Sequence, residues 1–226
     1  MSNSIDTKIL KSAQDIAALQ LWHIGGIKVD LGKPFRLTSG NYSPLYVNCR
    51  LLISSPSFVD IFCAVARMLF DAANVRFDAV AGGETAGIPF AAFLAREFGQ
   101  PLIYVRKEAK RHGTGSRIEG LIATGNRTLL VEDLITDAGS KLSFIQGIRA
   151  SGALVEDVLV VFDRLQGGGE ALAKAGVRLH SVTDLDAVLR VGQNARLLSD
   201  DALEAIHVYL REPARWHKER GLEFKE

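Results

Sequence analysis

The sequence has few features of a secreted, membrane-bound or nucleic-acid-binding protein. Only two of its 226 residues are cysteines, without zinc spacing or a disulfide-rich pattern, which favours a reducing compartment. Its 27 Lys and Arg nearly balance its 26 Asp and Glu, so no field of one sign exists to gather nucleic acid or anionic membrane. No apolar run approaches the roughly eighteen residues of a membrane span, and the first residues lack a secretion signal pattern. We therefore expect a cytoplasmic protein that binds neither nucleic acid nor membrane.

Segments with strand and helix patterns alternate from Ser55 onward, where Ser followed by Pro is typical of a helix start. Such alternation predicts an α/β fold with a central, mostly parallel sheet flanked by helices. The predicted strands cover residues 79–82, 102–105, 128–132, 155–162 and 177–182. The predicted helices cover residues 87–98, 140–151, 170–175, 183–191 and 199–218, and Pro213 is expected to kink or end the last one.

The first fifty residues have a different pattern. An apolar stripe at helical spacing runs to about His23, and Gly25 and Gly26 end it. Residues 27–48 then alternate short apolar segments with turn residues, which predicts short antiparallel strands. We expect one domain over residues 1–226, in which residues 1–50 form an N-terminal helix and a small antiparallel hood outside the main sheet.

The stretch 128–140 carries the strongest chemical signal. Residues 129–131 are branched and apolar without alternation, which predicts a central strand, and Glu132 and Asp133 follow at its carboxyl end, where parallel sheets bind ligands. Small and hydroxyl-bearing residues then open a helix, an arrangement that favours a phosphate. A phosphate on this loop and a diol on the two acids describe a ribose 5-phosphate. The alternative, a buried strand before a capped helix, leaves unexplained the cost of burying two adjacent acids.

A second polar stretch, residues 106–120, lies between two predicted strands. It is rich in lysine and arginine, contains His112 and is punctuated by glycines. A connection of this length inside a compact domain is more often a functional lid than filler. A cationic loop can close over a polyanion, stabilise pyrophosphate as it leaves and exclude water. The alternative is a solvated basic loop.

Residues 128–140 resemble the signature of the type I phosphoribosyltransferases that binds 5-phosphoribosyl 1-pyrophosphate (PRPP), with Glu132 where Asp is usual and Ala138 where Gly is usual. The resemblance implies that Glu132 and Asp133 hold the ribose 2- and 3-hydroxyls and that the loop wraps the 5-phosphate. It also implies Mg²⁺ as a cofactor carried by PRPP, with no side chain assigned as a metal ligand. The PRPP-binding residues implied here are Glu132, Asp133, Leu134, Ile135, Thr136, Asp137, Ala138, Gly139 and Ser140.

The basic stretch, residues 106–120, indicates one family within this class, because it is similar to the catalytic loop of the orotate phosphoribosyltransferases. This similarity implies that the loop contacts the pyrophosphate of PRPP through Arg106, Lys107, Lys110 and His112. The catalytic residues implied are Lys107, Lys110, His112, Glu132 and Asp133. In that family the loop reaches into the neighbouring subunit's site, so the resemblance also implies a homodimer with shared active sites.

Three further segments resemble the same family: residues 37–46, which correspond to its hood, residues 82–89, which correspond to a strand-to-helix turn, and residues 161–164. Arg164 directly follows an apolar strand and precedes several glycines, so its planar guanidinium can bind a carboxylate in bidentate fashion. The alternative is an ion pair with Asp163 or another acid. The resemblance implies that Thr136 and Arg164 bind orotate.

The implied reaction converts orotate and PRPP to orotidine 5-monophosphate and pyrophosphate in pyrimidine biosynthesis. Two alternatives stay open: a phosphoribosyltransferase for a purine or uracil, and a PRPP-sensing regulator that keeps the fold. The hood is too short for a winged helix, and no basic recognition helix is visible. Outside these motifs we expect packing or structural roles for His23, His180, His207, His217, Trp22, Trp216, Cys49 and Cys63.

Overall fold

The structure is a computed structural model that describes residues 7–37, 39–109 and 116–225. Its central sheet contains β5 (Ala79–Gly83), β6 (Leu102–Val105), β7 (Ile118–Glu119), β8 (Thr128–Ile135), β9 (Asp157–Asp163) and β10 (Arg178–Asp184). The spatial order is β10-β9-β8-β5-β6-β7, and every neighbouring pair is parallel except β6 with β7. The predicted mostly parallel sheet is therefore confirmed.

Five helices pack beside the strands: α2 (Pro56–Ala73), α3 (Gly87–Phe98), α4 (Gly139–Arg149), α5 (Gly168–Lys174) and α6 (Leu185–Asn194). The strands bury side chains on both faces, which explains the missing polar alternation in the sequence. Leu129 and Val131 of β8 join one apolar cluster, whereas Leu130 between them joins a second cluster with residues of α4 and α5. In the described part of the chain, none of the helices combines the length and the apolar character that a membrane span requires.

The N-terminal segment begins with α1 (Thr7–His23), which packs against α2, α6 and β10. Two small antiparallel sheets follow, one of β1 (Ile27–Val29) with β4 (Leu45–Val47) and one of β2 (Phe35–Arg36) with β3 (Tyr42–Ser43). They form the predicted hood, separate from the main sheet. A 3₁₀ helix, Cys49–Ser54, then leads into α2, whose first turn is capped by the Ser55 hydroxyl accepting from the Phe58 N–H.

Two predictions about these elements were wrong in detail, and two elements were missed. The strand predicted over residues 128–132 continues to Ile135, so Glu132 and Asp133 lie inside β8, and Glu132 pairs with Val160 of β9. The helix predicted over residues 199–218 is two helices, α7 (Asp200–Arg211) and α8 (Pro213–Glu219), because Pro213 is tolerated at the first position of a helix but not inside one. The edge strand β7 and the 3₁₀ helix were not predicted.

Candidate active site

The site lies where β5 and β8 run side by side at the centre of the sheet. The chain leaves β5 toward β6 on one side and returns to β8 on the other, so the strand order reverses between them. A crevice forms at the carboxyl ends of strands at such a point, and ligands bind there. The helices α3 and α4 both begin at this edge, directly after the turns that follow β5 and β8.

Glu132 and Asp133 are both buried, with 5% and 8% of their surfaces exposed. Successive side chains of a strand point to opposite faces, so the two carboxylates have different surroundings. Glu132 contacts Lys141 on α4, whereas Asp133 contacts Arg50 on the 3₁₀ helix. Sequence reasoning missed both of these cationic partners.

The carboxylate of Glu132 is held in a cavity between a lysine and two glycines. Lys141 Nζ lies 3.2 Å from Glu132 Oε2 and also 3.2 Å from the Ser140 hydroxyl. A Cβ atom at either Gly83 or Gly87 would overlap Glu132 Oε1, so these positions leave the room that the longer side chain needs. Burial raises the pKa of Glu132 to about 7, with Lys141 opposing the rise and the Asp133 charge adding to it. Glu132 Oε1 is buried and has no hydrogen-bond partner among the described residues.

The Asp133 carboxylate has weaker contacts than the Glu132 carboxylate. Its Oδ1 accepts a hydrogen bond from the Leu134 N–H at 2.9 Å. Its Oδ2 lies 3.5 Å from Nε of Arg50, whose side chain is 69% exposed. A contact of this length to an exposed arginine contributes little stability, so Asp133 Oδ2 remains available to accept hydrogen bonds from a ligand.

The loop after β8 opens onto the start of α4. Ala138 is buried and adopts φ +68° and ψ 0°, the left-handed conformation that glycine adopts at lower cost. The Asp137 carboxylate accepts a hydrogen bond from the Gly139 N–H at 3.1 Å. Ala138 at the N-cap position makes no side-chain hydrogen bond to the helix, and the N–H groups of a first helical turn lack intrahelical acceptors. An uncapped helix N-terminus of this kind favours an anion.

Two other predicted residues of this segment have clear positions. Ile135 ends β8, and its carbonyl accepts a hydrogen bond from the Arg164 N–H at 3.1 Å. Thr136 is half-buried and lies next to α5, since a Cβ at Gly168 would come within 2.7 Å of the Thr136 carbonyl oxygen. These backbone contacts therefore bring the loop after β8 and the residue after β9 together at the carboxyl ends of the two strands.

The guanidinium of Arg164 is largely buried, and burial lowers its pKa. None of the described residues forms an ion pair or a side-chain hydrogen bond with it, and the Asp163 carboxylate instead accepts from the Leu165 N–H at 2.8 Å. The alternative of a pair with Asp163 is thus wrong. Arg164 lines a small, mostly apolar cavity that is partly open to solvent. The other lining residues include Ser43, Leu45, Phe162, Ile206, Tyr209 and Leu210. An unpaired buried cation in an apolar cavity favours an anionic ligand.

The described part of the basic loop begins with Arg106 and Lys107. The Lys107 N–H donates to Glu84 Oε2 at 2.8 Å, while the Lys107 residue is exposed. Arg106 Nη1 lies 3.6 Å from Glu119 Oε1 on β7, so part of its charge is already balanced. Lys110 and His112 lie outside the described residues.

Arg117 connects the two ends of this loop to α4. Its Nε donates to the Arg106 carbonyl at 3.0 Å, and its two terminal nitrogens donate to the Ser143 carbonyl and hydroxyl, each at 3.1 Å. Arg117 is therefore a structural residue at the base of the loop. Nothing in the local sequence distinguishes Arg117 from the other cations of the loop, since Ser143, which accepts from its terminal nitrogens, lies on another element.

The fold and the site together define a phosphoribosyltransferase, with two acids and an uncapped helix N-terminus at the reversal point of a parallel sheet. Residues 54–184 match the family model described as a phosphoribosyl transferase domain, so the chain belongs to this class.

The relatives of this chain indicate which family of phosphoribosyltransferases it belongs to. An orotate phosphoribosyltransferase of Rhizobium rhizogenes is 42% identical over 92% of this chain and 91% of its own length. The solved orotate phosphoribosyltransferase of Aeropyrum pernix is 35% identical with a TM-score of 0.69, over 80% of this chain and 99% of that one. A solved UMP synthase of Leishmania donovani has a TM-score of 0.77 and 26% identity over 89% of this chain, which spans only 43% of that protein. The chain belongs to the orotate phosphoribosyltransferase family, as its motifs predicted.

Proposed function

We propose that the protein transfers the ribose 5-phosphate of PRPP to orotate and thereby forms orotidine 5-monophosphate and pyrophosphate. The observation that carries this proposal is the continuous segment in which the buried acids Glu132 and Asp133 are followed by the uncapped start of α4. This segment offers acceptors for a diol and donors for a phosphate within a few residues. Membership of the orotate phosphoribosyltransferase family supports orotate as the acceptor.

The two acids bind the ribose in this proposal. Glu132 Oε1 has no partner among the described residues and Asp133 Oδ2 has only a long contact, so both can accept hydrogen bonds from ribose hydroxyls. The bond between the anomeric carbon and the pyrophosphate oxygen breaks, and that oxygen keeps the electron pair. Positive charge then grows on the ribose, close to the carboxylates, which stabilise it electrostatically. A ring nitrogen of orotate forms the new bond to the anomeric carbon and loses its proton to the departing pyrophosphate, whose oxygens can accept it, or to solvent.

The base of the loop presents cations to the other end of PRPP. Lys107 is exposed, and its backbone is fixed by Glu84 near the end of β5. We propose that Lys107 and Arg106 stabilise the departing pyrophosphate, and that Lys110 and His112 complete this set as the family resemblance implies. We also propose a homodimer in which each loop serves the partner's site, because the loop leaves the sheet at its edge between β6 and β7.

Mg²⁺ is the proposed cofactor, bound together with PRPP. No side chain is assigned as its ligand, and Glu132 and Asp133 are the residues whose chemistry suits a hard cation, because carboxylate oxygens are its preferred protein ligands. When bound, Mg²⁺ would neutralise closely spaced phosphate charges. We propose that the enzyme acts in the cytoplasm, and its buried free cysteines Cys49 and Cys63 suit a reducing compartment.

Arg164 is the proposed anchor for the orotate carboxylate. Its guanidinium faces an apolar cavity bounded by the hood and α7 and lacks an ion pair among the described residues. A carboxylate entering this cavity would satisfy the buried cation through a charge-assisted bidentate contact. Thr136, next to the same edge, is proposed to contact the orotate ring.

The decisive measurement is the loss of orotate absorbance after PRPP and Mg²⁺ are added to the purified protein. Arg164→Ala should raise the KM for orotate at least about tenfold, because hydrogen bonds between charged groups contribute about 1.5–3 kcal/mol each. Arg127→Ala is the control and should leave the KM for orotate unchanged. It removes an exposed arginine that pairs with Asp78 at the amino ends of β5 and β8, away from the site. A wild-type protein that consumes uracil or a purine but no orotate would establish a different base specificity.

A further inference from the structure

The C-terminal helix α8 is joined to the hood by a histidine. His217 is fully buried, and the Tyr42 N–H of β3 donates to its Nε2 at 2.9 Å. Its Nδ1 lies 2.6 Å from the Pro213 carbonyl oxygen. Because Nε2 accepts a hydrogen bond, the ring proton must be on Nδ1, which donates it to Pro213. His217 is therefore a neutral link of fixed orientation between the hood and α8.

The residue before Tyr42 is held by the same end of the chain. Asn41 Nδ2 donates to the Lys225 carbonyl at 2.8 Å, and the Lys225 N–H donates to Asn41 Oδ1 at 2.7 Å. The β2–β3 hairpin has only two residues in each strand, and a two-stranded hairpin is marginally stable by itself. Its position must come from contacts outside the hairpin, and the C-terminal segment supplies three hydrogen bonds to two consecutive residues.

The helix α7 forms a wall of the cavity that contains Arg164. Ile206, Tyr209 and Leu210 line this cavity together with Ser43 of the hood. Tyr209 is 7% exposed, and its ring centroid lies 5.1 Å from that of Trp216 and 6.3 Å from that of His217. Tyr209 thus lies between the Arg164 cavity and the aromatic cluster that surrounds the histidine.

We propose that α7 and α8 belong to the base-binding site, with Tyr209 as a specificity-determining wall residue and His217 as a positioning residue that holds the hood over the cavity. This inference rests on the proposed function, in which Arg164 binds the orotate carboxylate. The proposed PRPP-binding acids are held by other elements, since Glu132 pairs with Lys141 and Asp133 contacts Arg50. Loosening the C-terminal helices therefore weakens the binding of the base and leaves the binding of PRPP intact.

The test compares the KM values for orotate and PRPP in His217→Ala, Tyr209→Ala and Asn41→Ala. We expect the KM for orotate to rise about fivefold or more, since a lost neutral hydrogen bond amounts to about 1 kcal/mol, and the KM for PRPP to stay within about twofold. His217→Gln keeps an acceptor for the Tyr42 N–H and should restore part of the orotate affinity. A variant that is merely less stable would not raise the KM for orotate while leaving the KM for PRPP unchanged.

Arg211→Ala is the matched control, because Arg211 lies on the exposed side of α7 and pairs there only with Glu204 among the described residues. It should leave both KM values unchanged. The Asn41 contact is exposed, so Asn41→Ala is expected to fold. It can replace His217→Ala in the test if that variant does not fold. Equal KM values in wild type and variants, or a parallel rise for both substrates, would overturn the inference while the proposed function stands. A folded wild type that consumes no orotate would overturn both.

Discussion

Lys141 Nζ lies 3.2 Å from Glu132 Oε2, and less than a tenth of either side chain is exposed. The pair joins the last part of β8 to the first turn of α4, which are the two elements that supply the acids and the phosphate loop. A buried ion pair is stable only when both partners are present, since removing one leaves an uncompensated charge. Lys141 therefore favours the ionised form of Glu132, which burial alone would neutralise.

Stability should depend on pH through Glu132. Its pKa in the folded protein is about 7, above the ordinary 4.5, so between these values the folded state holds a proton that the unfolded state releases. The free energy of unfolding must then fall as pH rises through this window. Glu132→Gln removes this titration and should flatten that part of the pH profile, measured by urea unfolding. Parallel profiles in the two proteins would contradict the prediction.

Asp133→Asn should lower turnover by at least about tenfold, or about 1.4 kcal/mol of barrier, because the neutral amide cannot stabilise positive charge on the ribose. The measurement is the kcat for orotate consumption at saturating substrates. Asp78→Asn, which changes an exposed acid paired with Arg127 away from the site, is the control and should keep its rate. A normal rate in Asp133→Asn would exclude this acid from the mechanism.

Ala138→Gly should stabilise the protein by about 1 kcal/mol, because the left-handed conformation is strained for alanine and not for glycine. Ala150 at the other end of α4 has φ −65° and is a matched comparison. Ala150→Gly should instead destabilise by about 0.5–1 kcal/mol, since glycine loses more conformational entropy there. Thermal or urea unfolding gives both values. Shifts of the same sign in the two variants would contradict the argument.

Mixed dimers test whether the loop acts across subunits. Lys107→Ala and Arg164→Ala should each be nearly inactive alone and should regain about one quarter of wild-type activity when dissociated and reassociated in equal amounts. Half of the dimers are then mixed, and each has one complete site of two. The double variant mixed with Lys107→Ala is the control, because it contains no intact Lys107 and cannot be rescued. Absence of rescue in the first mixture would place each site within one subunit.

Local signals predicted most of the fold. The helix α3 was predicted with its observed ends because Gly87 and Gly99 bracket an apolar periodic segment, and Gly99 adopts the left-handed conformation that ends it. The end of β8 was not predictable in this way. Charged Glu132 and Asp133 mark the end of a strand by composition, but pairing of Leu134 with Phe162 of β9 extends it. Tertiary pairing decided that boundary.

The residues proposed for the site could be chosen from the sequence where they lie in short motifs. The acids, the loop after β8 and Arg164 lie in such motifs, and the structure places them near the carboxyl ends of β8 and β9. Lys141 carried no such signal although it directly follows Ser140, because its contact with Glu132 depends on how α4 packs against β8. His217 showed no partner spacing in the sequence, and the structure gives it a contact with Tyr42, 175 positions away. The roles of Lys110 and His112 stay predictions, as they lie outside the described residues.

Arg117 has a mechanical consequence for the loop that begins at Arg106. Its guanidinium bonds to the Arg106 carbonyl and to Ser143 in α4, so one planar group joins the departing and returning ends of the loop to the helix. In the proposed function, where a phosphate binds at the start of α4, a shift of this helix on binding would be passed through Arg117 to both ends of the loop. Binding of the phosphate and placement of the cationic loop would then be coupled through one guanidinium group.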